Sequence, residues 1–133
     1  MTRNTRRNAW PIAVVADVAV VDVFAAVGRA NHHESGGLNG VWHTAWPFLV
    51  GTALALGLTA LTKSDPRGLR AGVRVWIWTV VIGMVVRHAM GHGTPLAFVI
   101  VAFLVLGALF LGWRLALGWS TWRSRFRFAA RWR

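Results

Sequence analysis

The sequence predicts an all-α polytopic membrane protein, a bundle of four transmembrane helices with both termini on the cytoplasmic side. Three observations carry this: four long apolar stretches, basic residues gathered around alternate links, and tryptophans clustered at the ends of the stretches. Of the 133 residues, 56% are hydrophobic and only 14% charged, which places the chain outside the range of soluble globular domains. No cysteine is present, so disulfides, thiolate metal sites and thiol nucleophiles are excluded.

The apolar stretches run from about Trp10 to Val27, Trp42 to Leu61, Gly72 to Val86 and Pro95 to Leu117. About 20 helical residues at 1.5 Å each cross the ~30 Å hydrocarbon core, so each stretch crosses once, the third only if its flanks join in. Residues 1–117 thus form the transmembrane domain, and residues 118–133 an Arg/Trp-rich interfacial tail. A cleaved secretory signal at the first stretch is disfavoured, because Asp17 and Asp22 interrupt it and Ala25 to Ala30 is a poor cleavage site.

Orientation follows from charge. Of 15 Lys and Arg residues, thirteen fall before the first stretch, around the second link, or from Arg114 onward, and only Arg29 and Arg87 fall on the opposite side. Cytoplasmic segments carry such an excess. An odd number of spans would separate the two basic termini. Trp10, Trp76, Trp78, Trp113, Trp119 and Trp122 form an inner belt, and Trp42 and Trp46 an outer one, as indoles do at membrane interfaces. The expected location is a bacterial plasma membrane.

His43-Thr44-Ala45-Trp46-Pro47-Phe48 and His92-Gly93-Thr94-Pro95-Leu96-Ala97-Phe98 form a tandem echo, each reading as a helix start with Pro in the first turn. Small residues at i, i+4 spacing recur at Gly51/Ala55, Ala53/Gly57, Thr79/Gly83 and Ala108/Gly112, which allows close helix contact within one bundle or between copies. A bundle of this size has little interior, so a homo-oligomer or a larger membrane complex is expected.

Asp17 and Asp22 are the most informative residues. A carboxylate at membrane depth costs ~2.5–3.5 kcal/mol, so it is expected to face protein or water. Five positions apart, the two point about 140° from each other on a helix and do not form a dyad. Two readings stay open: an ionisable gate on an ion pathway, or fixed ion pairs, Asp22 with Arg87 and Asp17 with Arg74, locking the first helix to the third.

The outer side gathers Arg29, His32, His33, Glu34, His43, Arg87, His88 and His92 beside two helix N-termini, whose free N–H groups and dipoles favour an anion. Pairing of these arginines with Glu34, Asp22 or lipid phosphate is the plainer alternative. His88 and His92 would share a face, and so offer a metal pair, only if the third helix continued past Gly91. A haem needs opposed imidazoles, and His43 and His88 do not lie mid-span. No cofactor is therefore expected, and outer-face metal or haem binding through these histidines is the lesser alternative.

In the tail, Trp119 and Trp122 with Arg123, Arg125, Arg127 and Arg131 suit an anionic inner leaflet, with nucleic acid the weaker alternative because lipid lies closer at hand. No metalloprotease helix, nucleotide loop or serine with a nearby base is present, so no enzymatic activity is expected.

Asp22 to His32, Ala45-Trp46-Pro47-Phe48-Leu49-Val50-Gly51, Thr79 with Gly83 and Arg87, Gly93-Thr94-Pro95 and Leu111-Gly112-Trp113-Arg114 resemble, in that order, a family of small bacterial membrane proteins catalogued as a domain of unknown function. The resemblance spans about residues 10–115. It implies a four-helix membrane fold and no assigned activity. The functional expectations are therefore a small, homo-oligomeric transporter or channel-like protein, using an intramembrane Asp and an Arg/His vestibule, or a non-catalytic subunit of a larger complex.

Overall fold

Among the described residues four helices make up most of the structure: α1 (Arg3–Asn31), α2 (Gly37–Leu61), α3 (Leu69–Ala89) and α4 (Leu96–Ala129). The structure, a computed structural model, describes the backbone of residues 3–31 and 36–129 and the side chains of residues 8–30 and 36–121. Each helix contains an apolar segment long enough to cross a bilayer, the shortest being Leu69–Ala89 at 21 residues, about 32 Å. The third span reaches this length because residues 69–71 and 87–89 join it. Polar flanks stay helical because a helix satisfies its own backbone hydrogen bonds where water is scarce.

Helix α2 begins five residues earlier than the hydropathy predicts. Pro47 therefore lies in its interior, whereas Pro95 immediately precedes α4, and the tandem echo does not mark equivalent helix starts. At the other limit, α4 runs through Leu117 without a break to Ala129, so the first part of the tail continues the fourth span as one rod.

The helices form a ring in which α1 packs on α2 and α4, and α3 packs on α2 and α4. Among the described residues the diagonal pairs, α1 with α3 and α2 with α4, have no backbone contact. The start of α1, the α2–α3 link and the end of α4 lie together at what we term the basic end. The α1–α2 and α3–α4 links lie at the histidine end.

Close approach of α2 and α3 rests on Gly51, where a Cβ would stand 2.8 Å from the Thr79 carbonyl oxygen and 3.0 Å from its Cα. Beside it Thr52 Oγ1 and Thr79 Oγ1 share a buried hydrogen bond of 3.0 Å, and Thr52 also donates to the Phe48 carbonyl. Gly83 makes room for the Phe48 ring. The pairs Gly51/Ala55 and Thr79/Gly83 thus serve packing inside the bundle, while Ala53/Gly57 and Ala108/Gly112 face outward. Between α3 and α4, the Trp76 indole lies over Gly107 and donates to the Phe103 carbonyl at 2.8 Å.

This division predicts unequal responses to added bulk. Gly51→Val forces the α2 and α3 backbones apart and is expected to cost about 1–3 kcal/mol or more. Gly57→Ala, whose Cβ would meet nothing within 4 Å, is expected to be neutral or slightly stabilising. Unfolding titrations in mixed micelles measure both, and equal losses would contradict the packing described.

Candidate functional site

Two polar constellations stand at opposite ends of the bundle, one sealed and one open. At the basic end Asp17 of α1 and Arg114 of α4 are both buried, and their side chains are wholly inaccessible. The pair is bidentate: Arg114 Nη1 donates to Asp17 Oδ1 and Nη2 to Oδ2, each at 2.8 Å. The remaining guanidinium protons are also used. Nε and Nη2 donate to the Pro66 carbonyl at 3.1 and 3.0 Å, and Nη1 to the Phe110 carbonyl at 3.0 Å. Trp113 Nε1 adds a 2.9 Å bond to Asp17 Oδ1. Among the described residues no buried side-chain polar atom lacks a partner.

This knot joins α1, α4 and the α2–α3 link in one contact. Gly72 of α3 permits it, since a Cβ there would stand 2.6 Å from Arg114 Cδ. The five donors of a guanidinium in a fixed fork suit this arrangement as an ammonium would not.

The expected partners of Asp17 and Asp22 are corrected by the helix order. Both proposed pairings, Asp17 with Arg74 and Asp22 with Arg87, run from α1 to α3, and those helices are diagonal. Arg74 instead donates to Thr62 Oγ1 at 2.8 Å and Ser64 Oγ at 3.3 Å in the α2–α3 link. Asp22 lies exposed on the outer surface of α1 without a hydrogen-bond or ionic partner among the described residues. Arg114 was missed as a site residue because it was counted with the basic tail. The signal was present: Leu115, Ala116 and Leu117 follow it, so it lies inside the apolar stretch.

The histidine end opens into a cavity of about 360 Å³, lined by α1 (Phe24, Gly28, Arg29), α2 (Thr44), α3 (Arg87), Pro95 and α4 (Ala97, Phe98, Val101). Arg29 Nη1 donates to Thr44 Oγ1 at 3.4 Å, and Gly40 leaves the space its guanidinium occupies. Arg87 Nε donates to the Gly93 carbonyl at 3.1 Å, and its guanidinium lies 4.4 Å over the Phe98 ring. Both arginines make further contacts as well. Beneath them, Phe24 meets Phe48 edge-on at 5.5 Å and Phe98 at 6.3 Å, forming an aromatic floor.

The cavity brings together Arg29 and Arg87 but neither aspartate. His43, His88 and His92 are exposed and do not line it. Helix α3 ends at Ala89, with Gly91 at φ +75°, so His92 lies beyond the helix and does not share a helical face with His88. This removes the geometric basis of the metal pair. His32, His33 and Glu34 lie outside the described residues. So do Arg131 and the side chains of Trp122, Arg123, Arg125 and Arg127, while Trp119 is exposed.

Residues 14–117 match the profile of a family described as Protein of unknown function (DUF3054). The chain belongs to that family. The matched region contains Asp17, Arg114 and every residue lining the cavity, so both constellations fall inside the DUF3054 region. No curated protein and no solved structure matches the chain.

Breaking the buried pair from one side leaves the other charge stranded. Asp17→Leu or Arg114→Leu is expected to destabilise by about 3–5 kcal/mol, whereas the two combined should lose less than either alone. Thermal unfolding of the four proteins in detergent tests this, and strictly additive losses would oppose it.

Proposed function

We propose that this protein is a small transporter of the bacterial plasma membrane that recognises an anion at its outward-facing histidine end. The observation that carries the reading is the cavity flanked by Arg29 and Arg87 and floored by phenylalanines. Guanidiniums supply charge and fixed donors for a carboxylate or phosphate, and low-polarity walls strengthen them. The asymmetry of the bundle supports it too, because a pathway open at one end and shut at the other is what alternating access requires. Asp17 and Arg114 act as the closed gate at the basic end. Passage would require them to part, and an anion reaching Arg114 replaces the carboxylate it leaves. The proposal needs no cofactor and assigns no catalytic step.

Placing both termini in the cytoplasm rests on the basic residues around the α2–α3 link and the termini. The tail then lies against an anionic inner leaflet. Because the chain has no cysteine, single substitutions report the orientation cleanly. Leu38→Cys should react with an impermeant maleimide in intact cells and Ser64→Cys only after permeabilisation. The reverse pattern would invert the topology.

The transport reading is tested with proteoliposomes loaded with organic anions. Flux is expected from the wild type, with a drop of tenfold or more for Arg87→Gln. A well-folded protein that moves no anion would sink it.

Asp22 favours a second reading, in which the protein is a subunit of an assembly. An exposed carboxyl on an apolar helix face at membrane depth gains by being covered. A second copy packed over this face would serve. Val23→Cys should then crosslink between copies, and Asp22→Leu should reduce the yield several-fold. A monomer under gentle extraction, with no co-purifying protein, would dismiss this second reading.

A further inference from the structure

We infer that the ligand of the Arg29/Arg87 cavity is an anionic amphiphile, a phosphate or carboxylate head on an alkyl chain, which enters sideways from the bilayer between α1 and α4. This rests on the reading of the cavity as the recognition site and goes on to name the substrate class.

Size is the first argument. At about 30 Å³ of liquid volume per water, 360 Å³ corresponds to about a dozen waters, more than a bare phosphate or acetate needs. The distribution of polarity is the second. Arg29, Thr44 and Arg87 supply the polar groups, and Phe24, Phe98 and Val101 are wholly apolar, so one part suits a charged head and the other a chain. The third is the way in. Phe24 and Gly28 stand one turn apart on α1, as Ala97 and Val101 do on α4, so each helix contributes one row to the wall. Ala97 is exposed, Val101 is 53% exposed, and a Cβ on Gly28 would meet nothing within 4 Å. The seam between the rows therefore opens onto the apolar surface that faces lipid. A water-borne anion needs no such opening. An amphiphile whose head rests at the interface and whose chain stays in hydrocarbon does.

Gly28→Leu is the decisive variant, because its Cβ would meet nothing within 4 Å, its longer chain adds bulk to the cavity wall, and it replaces a helical glycine with a good helix former. Native mass spectrometry and thermal shift of the full-length protein in a neutral detergent would use three probes: dodecyl phosphate, phosphatidylglycerol and inorganic phosphate. Dodecyl phosphate is expected to bind at least tenfold more tightly than inorganic phosphate, since each buried methylene adds affinity. Gly28→Leu should abolish that preference and leave the melting temperature equal or higher. Arg29→Gln with Arg87→Gln should weaken every anionic probe. Binding of phosphatidylglycerol but not of dodecyl phosphate would support the inference and identify the source as a membrane lipid. The opposite preference would support it and point to a free single-chain amphiphile. Equal binding of inorganic and dodecyl phosphate, unaffected by Gly28→Leu, would overturn the amphiphile and leave the anion site standing. Binding of none of the three would overturn both.

Discussion

The bundle is organised around the bond between Asp17 and Arg114. Two charges lie where neither water nor lipid headgroups reach them, so each must be satisfied by the other and by the backbone. Every guanidinium proton has an acceptor, and the carboxylate gains the Trp113 indole as a third donor. The geometry leaves little freedom, because Pro66 in the α2–α3 link must present its carbonyl where α1 and α4 meet. In this way one side chain holds three parts of the ring in register. Apolar contacts alone would do this less selectively, since lipid competes with them at nearly equal strength.

The same economy of polar groups explains why the two ends differ. At the basic end the acid and base cancel and the helices close. At the histidine end two arginines stand over a phenylalanine cluster, with Thr44, a backbone carbonyl and a ring face among their partners. Both side chains line a cavity of about 360 Å³. The ring of helices is therefore sealed by a buried ion pair at one end and hollowed beside two arginines at the other.

Much of the fold was legible without coordinates. Span number and class follow from apolar length, and the glycine and alanine spacings marked surfaces of close approach. They did not say which surfaces: Gly51 packs against Thr79, while Gly57 with the same kind of spacing faces outward. For the site, Arg29 and Arg87 were found as a pair because both are rare charges on the sparsely basic side. Their apolar partners Phe24 and Phe98 were not, since an aromatic in a transmembrane helix carries no local mark of facing a cavity. Arg114 was hidden by its neighbours, a basic residue close to a run of basic residues.

What the sequence determined by itself is the set of elements and the residues that must be satisfied: four apolar helices, and acids at positions 17 and 22 pointing about 140° apart. That angle excluded a shared dyad, and in the structure Asp17 is buried and Asp22 exposed. The tertiary structure decided the partners. Hydropathy and helical phase are properties of each helix alone and say which face is turned inward, not which helix it meets. Only the ring order, with α1 beside α4 and across from α3, makes Arg114 the partner of Asp17, keeps Arg74 and Arg87 away from both acids, and brings Phe24 of α1 against Phe98 of α4 beneath the cavity.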